Sequence, residues 1–103
     1  MANKNFRDRV YTLVAQIPEG RIMTYGDIAA FCGQAYAARV VGSIAHFGPT
    51  HLPWHRVVNR FGGCASGYYG GKEGHKQMLE SEGFKVENYR IIDFERQRWW
   101  PKQ

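Results

Sequence analysis

Residues 24–47 carry two helical patterns separated only by Cys32-Gly33-Gln34, and this juxtaposition constrains the fold more than any other feature of the chain. A tight turn containing glycine makes two helices cross steeply, which is the arrangement of a helix-turn-helix. The first pattern, Thr24 to Phe31, opens on a hydroxyl residue that can cap it, with Asp27 three residues later, close to a capping box. Ile28, Ala29 and Phe31 supply its apolar side. The second pattern, Ala35 to Phe47, carries Val40, Val41 and Ile44 and stops at Gly48-Pro49.

The flanking sequence gives these helices something to pack on. Asn5 to Ile17 reads as an amphipathic helix with Asn5 as its cap and Asp8 in its first turn. Phe6, Val10, Leu13, Val14 and Ile17 form its apolar stripe, and Pro18 and Gly20 end it. Pro53 keeps the following chain extended, and His55 to Asn59 is a short strand or an irregular loop. Between Arg60 and Gly71 stand Gly62, Gly63, Gly67, Gly70 and Gly71, a density that implies tight turns or close approach of the backbone to a ligand. Lys72 to Glu82 is predicted as the last helix, with Met78 and Leu79 inside and Gly83 terminating it. The apolar run Tyr89 to Phe94 has no assignment from pattern alone. The expectation is one domain over residues 1–103, mostly α and winged-helix-like, with a helix-turn-helix, a glycine-rich wing or loop and little β structure.

Charge narrows the partners. Lys and Arg total 14 against 9 acidic residues, a net +5 that favours nucleic acid first and a membrane surface second, although a solvated basic surface fits equally. No apolar run approaches the ~18 residues of a membrane span, and the polar start of the chain lacks the apolar core of a signal peptide. A cytoplasmic, monomeric protein without membrane contact is expected. Two cysteines make no disulfide framework. Pro53 keeps His51 and His55 off one helical face, and no cysteine pair has zinc spacing, so neither metal nor cofactor is expected.

Three groups of residues bear on chemistry. The presumed outer face of the second helix is small (Ala35, Ala37, Ala38, Gly42, Ser43) with one long cation, Arg39. Major-groove readers carry longer polar side chains, so a small face suits a narrow groove where backbone comes close, with Arg39 filling the gap left by an extruded base. The alternative turns the alanines to the core and leaves Arg39 as a plain surface residue. Trp54, in Pro53-Trp54-His55-Arg56-Val57-Val58, fits either stacking on a flat ligand or core packing, and His55 fits either a proton shuttle or a structural role. Tyr25, Tyr68 and Tyr69 beside open backbone fit a nucleobase pocket or half-buried packing.

Together these segments resemble the O6-alkylguanine-DNA alkyltransferase family. Residues 53–58 resemble its Pro-Cys-His-Arg-Val motif, with Trp54 where the cysteine stands. Ala37-Ala38-Arg39-Val40-Val41-Gly42 resembles its recognition helix, Thr24-Tyr25-Gly26 the start of its helix-turn-helix, and Gly67-Tyr68-Tyr69-Gly70-Gly71 its substrate-binding loop. Glu80-Ser81-Glu82-Gly83 resembles the segment bearing its glutamate. The likeness runs in order from about Phe6 to Gly83 and covers that family's DNA-binding domain alone. Trp for Cys in a short chain resembles the alkyltransferase-like branch. Two departures stand out: the asparagine that precedes the family motif has no counterpart, and the segment Phe47 to Leu52 is shorter.

The resemblance implies roles residue by residue. Arg39 is the finger that fills the space of the flipped nucleotide, and Tyr25 the tyrosine at the phosphate. Tyr25, Trp54, Val57, Tyr68 and Tyr69 make the base pocket, while Thr24, Tyr25, Ala37, Ala38, Arg39, Gly42 and Ser43 face DNA. His55 and Glu82 match the pair that activates the cysteine, so no catalytic residue is expected here. The implied function is non-enzymatic recognition of O6-alkylguanine in double-stranded DNA, handed on to nucleotide excision repair proteins. The tail from Arg96 to Gln103, with Trp99 and Trp100, is either a partner surface or core packing. Two alternatives remain open: alkyl transfer by Cys32 or Cys64, and a sequence-specific helix-turn-helix regulator.

Overall fold

The computed structural model describes residues 5–101; residues 1–4 of the polar amino-terminal stretch and 102–103 of the tail lie outside them. Asn5 caps α1 (Phe6–Val14), its side chain accepting from the Asp8 N–H at 2.8 Å. The helix ends before Ile17, in a tighter turn closed by Gln16 N–H to Leu13 O and Ile17 N–H to Val14 O. Val10, Leu13, Val14 and Ile17 are buried, as the stripe required.

The capping box is complete. The Thr24 hydroxyl accepts from the Asp27 N–H at 3.0 Å, and the Asp27 carboxylate accepts from the Thr24 N–H at 3.1 Å, which starts α2 (Tyr25–Phe31). Arg98 then clamps Asp27 from the tail, its Nη2 2.6 Å from Oδ1. α3 (Ala38–Phe47) begins three residues later than predicted. Residues 35–37 form a turn instead, closed by Ala37 N–H to Gln34 O at 2.8 Å, and no side chain caps the helix. α2 and α3 form the expected helix-turn-helix pair.

Strands are short. β1 (Met23–Thr24) runs parallel to β2 (Val57–Val58), pairing Met23 with Val57 and Thr24 with Val58. This pairing ties the helix-turn-helix to the segment after Trp54. The glycine-rich stretch is a loop rather than a strand-built wing; among the described residues it meets a strand through the bridge Gly63–Arg90. α4 (Gly71–Ser81) follows it, one residue displaced from the predicted range. Gly83, at φ +94°, ends α4 in a Schellman motif: its N–H reaches Glu80 O, and Phe84 N–H reaches Leu79 O. Leu79 is buried, but Met78 is surface-exposed, contrary to the sequence expectation. The unassigned run supplies the second strand of a hairpin of β3 (Val86–Glu87) and β4 (Arg90–Ile91) and leads into the single turn α5 (Phe94–Gln97). Asn88 and Tyr89 both take positive φ at its tip, the conformation that matches strand twist.

Two apolar clusters result. One joins α1, α2, α3 and Trp54; the other joins Ile22, Val58, Cys64, Leu79, Phe84 and Ile91. In the tail, Trp99 is half-buried against the first cluster and Trp100 lies over Phe31, ring centres 5.9 Å apart. No helix among the described residues is long and apolar enough to cross a membrane.

Candidate functional site

Between the carboxyl-terminal half of α3 and the glycine-rich loop lies a cavity of about 940 Å³. That is at the upper end for a small-molecule cleft and leaves room for a nucleobase with a substituent. Its wall includes Trp54, Tyr25, Tyr68 and Tyr69, four of the five residues expected in a base pocket. Val57, the fifth, is fully buried in the core. It packs into the cluster formed with α1, α2 and α3, so it is a packing residue and not part of the wall.

Trp54 is 8% exposed and still borders the cavity, so the two sequence readings of this residue both hold in part. Pro53 starts a single 3-10 turn, Trp54–Arg56, which turns the indole back under the end of α3. The ring N–H donates to Pro49 O at 2.8 Å, and Tyr11 meets it edge-on with ring centres 6.0 Å apart. Gly48 makes this seat possible. A Cβ there would stand 2.7 Å from the indole Cζ2 and 2.8 Å from Ile44 O. The short segment between α3 and Trp54 therefore wraps the indole and satisfies its one donor.

Sequence reasoning missed several parts of the wall. Thr50, Leu52 and Asn59 line it, with His46 and Ser66 at the loop side and Lys72 at the start of α4. His46 Nδ1 lies 3.0 Å from Gly67 O, which joins the last turn of α3 to the loop. Among the described residues no carboxylate lines the cavity, and Lys72 is the one lysine there. The Asn59 side chain accepts from the N–H groups of Phe61 and Gly63 at 2.9 and 2.8 Å and so shapes the loop. Burial pushes the Tyr25 phenol up to about 12, so it remains a neutral donor.

His55 and Glu82 meet behind the wall rather than in it. The His55 Nε2–H donates to Glu82 Oε2 at 2.5 Å, and Arg56 Nη2 reaches the same oxygen at 2.7 Å. The Gly20 N–H adds a bond at 3.1 Å, and Arg56 Nη1 donates to Ile17 O at 2.8 Å. Burial alone would raise the Glu82 carboxyl, but the Arg56, His55 and Gly20 donors outweigh it and hold it near 2. Cys64 lines the cavity and Cys32 lies in the helix-turn-helix turn. Both thiols are buried, and burial pushes both up, away from the thiolate a nucleophile needs.

The expected DNA-facing set divides. Arg39 and Ser43 are exposed on α3, and Ala38 and Gly42 are half-exposed on it. Thr24 and Ala37 are buried, the first as a cap and the second in the core. Ala35 is exposed in the preceding turn, where Tyr36 stands almost fully exposed.

The sequence profile of the family described as 6-O-methylguanine DNA methyltransferase, DNA binding domain, matches residues 5–84. The chain is 43% identical over 97 residues to the DNA base-flipping protein of Escherichia coli K12, covering 92% of this chain and 74% of that one. It is 39% identical over 89 residues to Alkyltransferase-like protein 1 of Schizosaccharomyces pombe, covering 84% and 82% respectively. Among solved structures it is similar to S. pombe Atl1 in complex with damaged DNA containing O6-carboxymethylguanine. The TM-score is 0.81 at 32% identity, over 98% of this chain and all of that one.

Proposed function

The chain belongs to the family of the 6-O-methylguanine DNA methyltransferase DNA-binding domain, and from that premise we propose that it recognises O6-alkylguanine in duplex DNA without repairing it. In this reading α3 approaches the minor groove and Arg39 fills the space of an extruded guanine. The base enters the cavity against Trp54, Tyr25, Tyr68 and Tyr69. Trp54 stands in the position of the family's reactive cysteine. An indole offers no nucleophile comparable to a thiolate at neutral pH, so the base is held and not dealkylated. An O6-alkylguanine pairs poorly, so its extrusion takes less than the few kcal/mol a sound base pair demands, and stacking returns roughly 1–3 kcal/mol per base. The basic surplus supplies phosphate affinity that weakens with salt.

One observation carries the proposal: an indole with its N–H already satisfied forms part of the wall of an otherwise open, carboxylate-free cavity beside the helix-turn-helix. Retained binding suits a signal, and we propose that the monomeric complex marks the lesion for nucleotide excision repair proteins in the cytoplasm. The test is fluorescence anisotropy with two duplexes differing only in one O6-methylguanine, followed by mass measurement of the protein. Tighter binding of the damaged duplex and unchanged mass are expected. Equal affinities would favour a sequence-specific regulator and overturn the reading. Cys64 borders the cavity, so a gain of one methyl group would assign transfer to a thiol instead.

A further inference from the structure

His75 lies on α4 one turn before Leu79 and is fully buried, yet it does not line the cavity. Its Nδ1 accepts the Ala65 N–H at 2.9 Å, and its Nε2 is 2.9 Å from His55 O. A backbone N–H can only donate and a carbonyl can only accept. The ring therefore carries its hydrogen on Nε2 and a lone pair on Nδ1. Its face lies against Tyr68, ring centres 4.6 Å apart and planes 19° from parallel.

These three contacts span the site. Ala65 and Tyr68 belong to the loop side of the cavity wall. The His55 carbonyl belongs to the 3-10 turn that begins with Trp54, on the facing side. The loop's own bonds at this point are local: Tyr68 N–H to Ala65 O at 3.3 Å and Gly71 N–H to Tyr68 O at 2.7 Å. The other described bond across the cavity, His46 to Gly67, is exposed to solvent and so weaker. A flat base is gripped well only when its walls are held to within about half an ångström.

We propose that His75 is a positioning residue that fixes the spacing between the wall bearing Trp54 and the wall bearing Tyr68. The assignment rests on lesion recognition being what the cavity does. His75 touches no part of the base; it acts through Ala65, Tyr68 and His55. Desolvation holds the imidazole neutral down to about pH 4, so the acceptor at Nδ1 persists under ordinary conditions.

The test compares the wild-type chain, His75→Phe, His75→Gln and Ile91→Ala by anisotropy, on duplexes with and without one O6-methylguanine. His75→Phe keeps a ring against Tyr68 but loses both hydrogen bonds. Its affinity for undamaged duplex should stay within about twofold, while its preference for the lesion falls about tenfold, roughly 1.4 kcal/mol. His75→Gln, with a donor and an acceptor, should keep the preference within about threefold. Ile91→Ala truncates a member of the second core cluster that does not itself line the cavity, and should lose thermal stability while keeping full preference. Wild-type preference in His75→Phe, or equal loss in Ile91→Ala, would overturn the assignment. Should His75→Phe not fold, the wild-type chain decides by NMR. The His75 ring nitrogens and Ala65 amide should shift on adding damaged duplex and stay put with undamaged duplex; identical responses would overturn it. A wild-type chain without any preference overturns the recognition reading and this one with it, whereas preference kept by both wild type and His75→Phe overturns this one alone.

Discussion

Gly48→Ala adds one methyl group where the structure leaves no room for it. The backbone there, φ −81° and ψ 174°, suits alanine, so in open space the change would stabilise the fold by about 0.4–1 kcal/mol. The new Cβ instead meets the indole of Trp54 at 2.7 Å and Ile44 O at 2.8 Å. Overpacking of this kind costs about 1–3 kcal/mol. Moving the indole also breaks its bond to Pro49 O, a further ~0.5–1.5 kcal/mol. The two costs come to about 1.5–4.5 kcal/mol. Less the backbone gain, the net loss is about 0.5–4 kcal/mol, and Tm falls by about 4–8 °C for each kcal/mol in a domain of this size. The displaced indole moves relative to the cavity it borders, so lesion preference should fall in the same variant. Thermal melts of Gly48→Ala, Trp54→Ala and the double variant check the reasoning. With the indole gone only the Ile44 contact remains, so the double variant should be more stable than additivity predicts by about 1 kcal/mol. A Gly48→Ala chain as stable as wild type, or strict additivity, would refute the placement of Trp54.

Three other outcomes follow from the geometry. Both His75 and Glu82 have folded-state pKa values below their ordinary ones, about 4 and about 2, so the unfolded chain binds more protons in each window. Stability should fall as pH drops from about 6.5 to 4 through His75 and from about 4.5 to 2 through Glu82, each on the order of 3 kcal/mol. Urea melts between pH 7 and 3 check this, and a flat profile would contradict it; His75→Gln should flatten the upper window only. Thr24→Ala removes one half of the capping box and should lower stability by about 1 kcal/mol, with undamaged-DNA affinity unchanged in the same preparation. Arg39→Ala should weaken binding of the damaged duplex more than of the undamaged one, and unchanged lesion binding would remove Arg39 from its assigned role.

What could be read from the sequence was local. The Asn5 cap, the Thr24–Asp27 box and the Gly83 terminator each depend on residues within one helical turn, and each stands where the pattern put it. The start of α3 carried no such signal: Ala35, Tyr36 and Ala37 bear no capping side chain, and a backbone turn displaced the helix. Val57 packs into a cluster drawn largely from α1, α2 and α3, elsewhere in the sequence, where no motif around Trp54 reveals it. Met78 follows the apolar pattern of α4 but faces solvent, since Leu79 already fills the core side. His75 left only a faint trace, a histidine four residues before Leu79 on the same helical face. Its meaning depends on three tertiary contacts.

The His55–Glu82 pair can be understood without any nucleophile. Glu82 sits at the C-cap of α4, where the Schellman turn brings its carboxylate toward the 3-10 turn. There it accepts from His55, from Arg56 and from the Gly20 N–H, and Arg56 in turn holds the carbonyl of Ile17 at the end of the first helical segment. One carboxylate, with Arg56, thus joins the turn after α1, the approach to β1, the Trp54 turn and α4. Removing it would leave the partly buried guanidinium of Arg56 and the buried ring of His55 short of a partner, a penalty of about 3 kcal/mol whatever chemistry the site performs. The side chain that borders the cavity, Trp54, is held by a different set of contacts: Pro49, Tyr11 and Gly48. The ionic network and the cavity wall are therefore separable. A chain of this architecture can change the residue that borders the cavity while the carboxylate network persists for reasons of folding alone.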